Sequence, residues 1–402
     1  MLTPGYLGQK EMHRTYLDWN ATAPLRPEAR IAMIAAMDVV GNPSSVHAEG
    51  RAAKALVEKA RAQVAAAFGA EGADVIFTSG ATEAINLIFG QEWDTTSCSP
   101  IEHDAVLSCA EKVLDWDPDE EEPLVDKDGV FSSEFKSGFA LAGPPLKKGQ
   151  RGLPRKLRRL FGLTAANSET GVLQNTDAVF ARFESDFDIS HRFCDATQAL
   201  GKTPFAFNWA NCEYAAISAH KIGGPKGVGA LVVKRGSDIA ARITGGGQEM
   251  GRRSGTENII GIAGFGAAAE AAARELEAGV WGKVEKLRNI LEKTLAESVN
   301  DTIFVGKGAN RLPNTSCIIL PGWKGETQVM QMDLAGFAIS AGSACSSGKV
   351  KESRVLRAMG YDAVAASSAI RVSLGPTTTE DEVMRFAEAW IKAAKKYLAR
   401  RR

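Results

Sequence analysis

Helix and strand patterns alternate along the first two thirds of the chain, and this alternation restricts the fold more than any other feature. Residues 51–68 are rich in strong helix formers and end before Gly69, a common C-cap residue. A short apolar strand pattern, ADVIFTSG, follows, and the next segment, ATEAINLIFG, is again helical. Such alternation is typical of a parallel sheet covered by helices on both faces. The sequence therefore predicts an α/β fold with a mostly parallel, doubly wound sheet.

The pattern changes after about residue 261, which predicts a second domain. Four more buried strands are predicted before that point, in LFGLTAAN, HRFCDA, EYAAISAH and GALVVKRG. Beyond it come two long Ala/Glu/Lys-rich helices, a short strand in TSCIILPG and a closing helix over residues 380–398. A chain of 402 residues also exceeds the usual size of one hydrophobic core. We expect a large domain over residues 21–262 and a smaller α+β domain formed by residues 1–20 and 263–402.

Charge and composition favour a small-molecule substrate. The 48 basic and 48 acidic residues cancel, so no overall field attracts nucleic acid or an anionic membrane. No apolar run approaches the length of about 20 residues that spans a bilayer, and no signal-peptide pattern begins the chain, so a cytoplasmic location is expected. Six cysteines without a CxxC pair indicate neither a disulfide scaffold nor a zinc site. We therefore expect no resident metal.

The motif TSGATEA, residues 78–84, predicts an anion site. A strand here runs through a glycine directly into a helix, where backbone N–H groups and the positive end of the helix dipole favour a phosphate. Ala81 and Thr82 stand at the helix start, and the Thr82 hydroxyl adds a donor. Ordinary helix capping without a ligand explains the same residues.

Asp195 and Gln198 lie at the C-terminal end of the predicted strand in HRFCDA, at the sheet edge where open α/β folds bind ligands. The Asp195 carboxylate can hold a protonated ring nitrogen, with Gln198 within reach of a neighbouring ring oxygen. The alternative interpretation is that Asp195 caps the next helix.

The segment SAHKIGGPKG favours an enzyme with a bound cofactor over ordinary helix capping. Lys221 follows a hydrophobic strand and precedes a Gly/Pro turn, a position that a solvated surface lysine does not explain. Lysine near buried positive charge loses its proton more readily, as Schiff-base formation requires. Ser218 and His220 can donate to a phosphate. Pyridoxal 5'-phosphate (PLP) is the implied cofactor, with Lys226 as the competing Schiff-base lysine.

Motifs spread over nearly the whole chain carry a resemblance to one enzyme group. They are YLDWNATAPLRPEAR, NPSSVHAEGRAA, SGATEAINL, IEHDAVL, NSETGVLQ, DATQALGK, SAHKIGGPKG, RRSGTEN, SAGSACSSGK and AIRVSLGP. In these motifs the chain resembles the NifS/IscS cysteine desulfurases, which belong to the class V aminotransferase group of PLP fold-type I enzymes. The resemblance implies that fold, PLP as cofactor and L-cysteine as substrate.

The resemblance also assigns roles to residues that composition and spacing leave open. It implies that His103 stacks on the PLP ring and moves protons, a role suited to a group that titrates near neutral pH. Asn167 matches an asparagine beside the cofactor oxygen and substrate carboxylate. Arg371 matches the arginine that binds the substrate carboxylate through two parallel hydrogen bonds. Thr256 matches a residue that reaches the phosphate of the neighbouring subunit, which implies a homodimer.

Cys345, in the small and flexible run SAGSACSSGK, matches the family's persulfide-forming cysteine. The implied reaction converts L-cysteine to L-alanine and moves sulfur to Cys345, and then to an acceptor or iron–sulfur scaffold protein. Cys345 would contact a metal cluster only on such a partner. The alternatives are selenocysteine lyase, cysteine-sulfinate desulfination, transamination, or a scaffold protein that has lost the cofactor.

Two departures from the family pattern stand out. Met250 occupies a position where relatives commonly have arginine, which is expected to alter a contact near the subunit interface. Residues 115–159 match the family poorly and contain an acidic run followed by a basic run. We interpret these runs as solvated surface segments rather than as a docking surface for a partner.

Overall fold

The computed structural model describes residues 14–114, 124–132, 157–186, 190–342 and 352–401. The helices within these residues are α1 Pro27–Met37, α2 Ala48–Ala67, α3 Ala81–Phe89, α4 Asp104–Leu107, α5 Thr176–Asp186, α6 Ile259–Glu277, α7 Val280–Ser298, α8 Gly325–Leu334, α9 Arg354–Ala358, α10 Ala363–Ser367 and α11 Glu380–Arg401. The strands are β1 Thr15–Tyr16, β2 Asp74–Thr78, β3 Thr95–Cys98, β4 Lys112–Val113, β5 Arg159–Thr164, β6 His191–Asp195, β7 Tyr214–Ser218, β8 Gly229–Val233, β9 Ile303–Phe304, β10 Thr315–Ile319, β11 Phe337–Ala338, β12 Ser340–Ala341 and β13 Ala369–Ser373.

A seven-stranded sheet with the order β2-β8-β7-β6-β5-β3-β4 forms the centre of the larger region. Its neighbouring strands from β7 to β4 are parallel, whereas β8 is antiparallel to both of its neighbours. Strands β5, β6 and β7 therefore end at the same edge of the sheet. The predicted α/β class is confirmed.

Alternate residues of β2 and β7 enter two separate hydrophobic clusters. In β2, Val75 and Phe77 pack in one cluster with residues of α2 and α6, whereas Ile76 packs in the other with residues of α3. In β7, Ile217 belongs to the first cluster and Ala216 to the second. Because successive strand side chains point to opposite faces, both faces of this sheet are covered by helices.

A four-stranded sheet with the order β12-β13-β10-β9 forms the smaller region. It shares a third hydrophobic cluster with α7 and α11, and Leu17 from the N-terminal segment belongs to the same cluster. Strand β1 pairs with β11, so the N-terminal segment also lies beside Phe337 and Ala338. Helix α6 crosses the predicted boundary at residue 262 and packs on α1 and α2, and the boundary remains a prediction.

The described residues contain no helix that combines the length and apolar character needed to cross a bilayer. The acidic and basic runs of residues 115–159 lie largely outside the described residues.

Candidate functional site

A cavity of about 1000 Å³ opens at the edge where the parallel strands of the large sheet end. The small sheet contributes Ser340 and Arg371 to its wall. Nine residues that the sequence analysis selected line this cavity: Ala81, Thr82, His103, Asp195, Gln198, Ser218, His220, Lys221 and Arg371. Lys226, the competing lysine, also lines it. Cys345 lies outside the described residues, but Gly342 and Glu352 on either side of the segment 343–351 both line the cavity.

One end of the cavity is formed by the N-terminus of α3. Gly80 is the N-cap and provides no side-chain cap. Glu83 accepts a hydrogen bond from the Ser79 N–H at 2.7 Å and pairs with Arg253 at 2.8 Å. Burial opposes ionisation of Glu83, but the hydrogen bonds from Arg253 and Ser79 outweigh it and lower the pKa of the carboxyl. The capping interpretation thus holds for Glu83, while the N–H groups of the helix start remain at the cavity wall.

Close backbone packing shapes this end. A Cβ on Gly229 of β8 would lie 2.7 Å from the Cα of Gly80. Only a residue without a side chain therefore allows Gly80 its present position at the start of α3.

Lys221 lies in a short 3₁₀ turn, Ala219–Lys221, directly after β7. Its Nζ donates to the carbonyl oxygens of Asn20, at 2.7 Å, and Ala21, at 2.9 Å. The amine thus points into the cavity region where the N-terminal segment meets the ends of the parallel strands. This position fits a lysine that reacts with a ligand in the cavity.

His220, beside Lys221, has its pKa lowered to about 4 by burial and by the positive charges of Lys221, Lys226 and Lys202. At neutral pH the imidazole is therefore uncharged and donates one hydrogen bond. The neighbouring Lys221 and Lys226 make this part of the cavity electropositive, which suits a phosphate.

Asp195 ends β6 and is 6 % exposed. Its Oδ1 accepts a hydrogen bond from the N–H of Thr197 at 3.0 Å. The carboxylate therefore stabilises the turn after β6 and lines the cavity as well. The structural and the ligand-binding interpretations are compatible at this residue.

His103 is the N-cap of α4, and its Nδ1 accepts a hydrogen bond from the N–H of Ala105 at 3.1 Å. In the neutral ring the proton is consequently on Nε2.

Glu102, the residue before His103, is a buried acid on the cavity wall, at 2 % exposure. Burial raises the pKa of its carboxyl to about 8, against the lowering effect of its hydrogen bonds. Its Oε1 accepts from the Ser99 hydroxyl at 2.6 Å and from the Thr164 N–H at 2.7 Å. Glu102 is therefore protonated at neutral pH.

Arg371 lies on β13 and is 6 % exposed. Its Nη1 donates to the Ser168 carbonyl at 2.9 Å, and its Nη2 donates to the Asp18 carboxylate at 2.8 Å. Asp18 in turn accepts from the Ser340 hydroxyl at 2.7 Å. A buried arginine between apolar strand residues needs an anion, and Asp18 supplies it within the chain.

Two selected residues do not line the cavity. The amide of Asn167 is buried in the turn after β5, where Nδ2 donates to the Ile101 carbonyl and Oδ1 accepts from the Glu169 and Thr170 N–H groups. Thr256 is exposed in the segment before α6. Met250 is 57 % exposed and has a φ of 59°, an unusual conformation for a residue with a side chain.

Several cavity residues carry buried polar atoms that no described residue satisfies. They are Thr22 Oγ1, Glu102 Oε2, Thr197 Oγ1 and Arg371 Nε. Buried polar atoms normally have partners, so this set is suited to a polar ligand. Together with the open N-terminus of α3 and the amine of Lys221, it fits a phosphorylated ring aldehyde such as PLP.

Asp18, Asn20, Glu102 and Glu169 are cavity residues that the sequence analysis quoted within motifs without giving them a role. Burial raises the pKa of Glu169 to about 7, although the Ser353 hydroxyl donates to its carboxylate at 2.5 Å. The signal in the sequence for these residues is that each lies within a matched motif.

Comparisons with known proteins agree with this geometry. The family model "Aminotransferase class-V" matches residues 15–115 and 152–386. A cysteine desulfurase of Cereibacter sphaeroides is 36 % identical over 399 residues, with 94 % of this chain and 95 % of the relative covered. The solved structure of a NifS-like protein from Rickettsia africae has a TM-score of 0.80 and 31 % identity, and the match covers 94 % of this chain and 99 % of that one. The structure titled "SspA in complex with cysteine" has a TM-score of 0.67 and 26 % identity, covering 91 % and 100 % of the two chains.

Proposed function

The chain belongs to the class V aminotransferase family, and from this premise we propose that it is a PLP-dependent cysteine desulfurase that converts L-cysteine to L-alanine. The observation that carries the proposal is the convergence of Lys221, His103, Asp195 and Arg371 on one cavity. The named desulfurase relative covers 94 % of this chain, so the proposal concerns the whole described molecule.

The proposed cofactor would be held at both ends by residues of the large sheet. The N-terminus of α3 with Thr82, together with Ser218 and His220, would bind the phosphate. Asp195 would face the ring nitrogen and Gln198 the ring oxygen. Bound PLP would supply an aldehyde for the amino group and a ring that accepts electrons from the substrate.

The roles of the other residues follow from their contacts. Lys221 would form the covalent link, and the carbonyl oxygens of Asn20 and Ala21 would hold its amine whenever the link is open. Arg371, whose Nε has no partner among the described residues, would bind the substrate carboxylate. His103 lines the same cavity and would handle the proton of the substrate thiol.

Cys345 would receive the sulfur. The C–S bond of L-cysteine would break while an S–S bond to Cys345 forms. The proton of the Cys345 thiol would supply the hydrogen that replaces sulfur in the L-alanine product. The flanking positions of Gly342 and Glu352 on the cavity wall support this assignment. A sulfur-acceptor or iron–sulfur scaffold protein would then take the sulfur from the persulfide.

The covalent link can be tested by absorption of the purified protein. We expect a visible absorption band from bound PLP that Lys221→Ala removes, whereas the control Lys226→Ala keeps it. Retention of the covalent adduct in Lys221→Ala, shown by borohydride reduction and mass spectrometry, would refute the role of Lys221. Absence of the band in the wild-type protein incubated with excess PLP would refute the cofactor.

The persulfide can be tested separately. Cys345→Ser should abolish sulfide release from L-cysteine while PLP stays bound, with Cys109→Ser as the control at a partly buried thiol outside the cavity lining. Undiminished turnover of Cys345→Ser would favour direct elimination, as in the selenocysteine lyase or cysteine-sulfinate alternatives.

We also propose that the protein is a homodimer. Helix α1 exposes Ile31 at 67 %, Ile34 at 55 % and Met37 at 60 %, with spacings that place them on one side of the helix. Exposed apolar faces of this kind are typical of interfaces between chains. Thr256 is exposed and outside the cavity of its own chain, which fits contact with a neighbour. Sedimentation should give a dimer that Ile31→Asp with Ile34→Asp converts to monomer; a monomeric wild-type protein would refute the proposal.

A further inference from the structure

Lys202 is a buried lysine that the proposed function leaves without a role. Its side chain is 3 % exposed. Its Nζ donates to Gln198 Oε1 at 2.5 Å and to Asn20 Oδ1 at 3.1 Å. Both acceptors are amide oxygens, and among the described residues no carboxylate forms an ion pair with it. Burial, with the charges of Lys221 and Arg371, moves the pKa of Lys202 well below the ordinary value. Burying such an amine costs free energy, so its contacts are the informative feature.

The contact with Lys202 determines which end of Gln198 can serve the cavity. Gln198 lines the cavity, whereas Lys202 does not. The oxygen of the Gln198 amide is taken by Lys202, and its Nε2 donates one hydrogen to the Asn20 carbonyl at 3.0 Å. An amide nitrogen carries two hydrogens. One hydrogen of the Gln198 amide nitrogen is therefore left for a ligand, while the amide oxygen faces Lys202.

Asn20 links this arrangement to Lys221. Its backbone oxygen accepts from both Gln198 Nε2 and Lys221 Nζ. Its side-chain oxygen accepts from Lys202 and from Asn314 Nδ2, the latter at 3.1 Å. Asn20 is fully buried, at 0 % exposure. Lys202 thus contacts both Gln198 and Asn20, the residue whose carbonyl accepts from the Gln198 amide, and Lys202 itself does not line the cavity.

We propose that Lys202 is a positioning residue that fixes the Gln198 amide with its N–H end toward the ring oxygen of the bound cofactor. The inference rests on the proposed function, because that ring oxygen is present only if PLP occupies the cavity. The terminal torsion of glutamine has two nearly equivalent orientations, and an amine behind the oxygen selects one of them. Without Lys202 only the Asn20 carbonyl favours this orientation, so the amide can turn its oxygen toward the ring oxygen more readily, and two acceptors would then face each other.

The test is the pH dependence of the visible absorption of the PLP-loaded protein, measured as a titration midpoint. A donor at the ring oxygen stabilises its deprotonated form, so losing the donor raises the midpoint. We expect Lys202→Met to raise it by roughly half to one pH unit, the range for one lost hydrogen bond. Gln198→Leu should raise it at least as much. The double variant should match Gln198→Leu, because Lys202 acts through Gln198.

Three outcomes would overturn the inference. Lys202→Met with an unchanged midpoint would show that the amide does not depend on Lys202. A shift from Lys202→Met that persists in full in the Gln198→Leu background would show direct action through charge. If Lys202→Met does not fold, Lys202→Gln replaces it. The glutamine side chain is one bond shorter than lysine, so it loses the contact with Gln198 while keeping a polar end. An unchanged midpoint in this variant would again overturn the inference.

Two controls separate this result from other effects. The surface variant Lys283→Met, in α7, should leave the midpoint unchanged. Thermal unfolding of each variant without PLP reports whether the fold is intact. A wild-type protein without a visible band would refute the proposed cofactor, whereas a wild-type band with unmoved variant midpoints would refute only the role of Lys202.

Discussion

Asp18 and Arg371 form a buried ion pair that joins the N-terminal segment to the small sheet. The carboxylate and the guanidinium are 2.8 Å apart, and their side chains are 16 % and 7 % exposed. The pair is anchored on both sides, because the Ser340 hydroxyl donates to Asp18 and Arg371 donates to the Ser168 carbonyl. Asp18 therefore fixes the orientation of the Arg371 guanidinium at the cavity wall.

Removal of Asp18 is expected to damage both stability and substrate binding. Asp18→Ala leaves the Arg371 guanidinium buried without its counter-ion, which should lower the free energy of unfolding by about 3–5 kcal/mol. The KM for L-cysteine should rise by roughly tenfold or more, because a charged hydrogen bond loses its alignment. Urea unfolding and steady-state kinetics measure the two effects. The exposed pair of Asp381 with Arg385 offers the control, and Asp381→Ala should cost less than about 1 kcal/mol. Equal effects of the two variants would contradict this account of Asp18.

His220 should respond to phosphate binding through its pKa. In the protein without ligand its pKa is lowered to about 4. A bound anion favours the charged imidazolium, so saturating inorganic phosphate or PLP should raise the pKa. Titration of the histidine ring signals by NMR measures this, and His220→Asn identifies the signal among the five histidines. The signal of His47, which is 60 % exposed, should not move. A His220 pKa that phosphate leaves unchanged would place the anion elsewhere.

Much of the fold could be predicted because its strands and helices have strong local patterns. The predicted strands in ADVIFTSG and GALVVKRG appear as β2 and β8, and the helix predicted over residues 51–68 appears as α2. Strand β3, with the sequence TTSC, was not predicted because its residues lack an apolar run. The antiparallel direction of β8 was also not predictable, since direction depends on chain connections rather than on side-chain pattern.

The site could be predicted only in part, for a related reason. Asp195 ends β6 and Lys221 lies in the turn directly after β7, so their position at the sheet edge follows from local pattern. Asp18 contacts Arg371 across 353 positions of the sequence, and Asn20 contacts Lys202 across 182. Pairings of this separation depend on how the whole chain returns to the cavity, and one sequence contains no local signal for them.

Gly229 tests whether the position of α3 matters for cofactor binding. In Gly229→Ala the added Cβ would lie 2.7 Å from backbone atoms of Gly80 and from the Ile217 carbonyl, so backbone has to move. Overpacking of this kind should cost about 1–3 kcal/mol. Displacement of the α3 N-terminus should also weaken PLP binding by roughly tenfold, equivalent to about 1.4 kcal/mol. Fluorescence titration of the cofactor-free protein with PLP measures the affinity.

The control for Gly229 is a glycine with free space around it. Gly282 lies in α7, and no atom stands within 4 Å of an added Cβ. Gly282→Ala should therefore stabilise the protein by about 0.5–1 kcal/mol and leave PLP affinity unchanged. Wild-type PLP affinity in folded Gly229→Ala would show that the position of Gly80 does not matter for the phosphate.

Glu102 should make the stability of the cofactor-free protein fall with rising pH. Burial raises its pKa from 4.5 to about 8 in the fold. The folded state therefore holds a proton that the unfolded state releases between these values. The stabilising contribution is complete below pH 4.5 and is lost as the pH rises through 8, at no more than about 1.4 kcal/mol for each pH unit.

Glu102→Gln removes this dependence while keeping an amide oxygen that can accept from Ser99 and Thr164. The variant should gain stability relative to the wild type as the pH increases from about 5 to about 8, with little difference at the acidic end. Urea unfolding at several pH values measures the difference, and Glu58→Gln, on the exposed side of α2, is the control. Parallel profiles of unfolding free energy against pH for the wild type and Glu102→Gln would contradict this prediction. They would show that the Glu102 carboxyl is already ionised in the folded protein across this window.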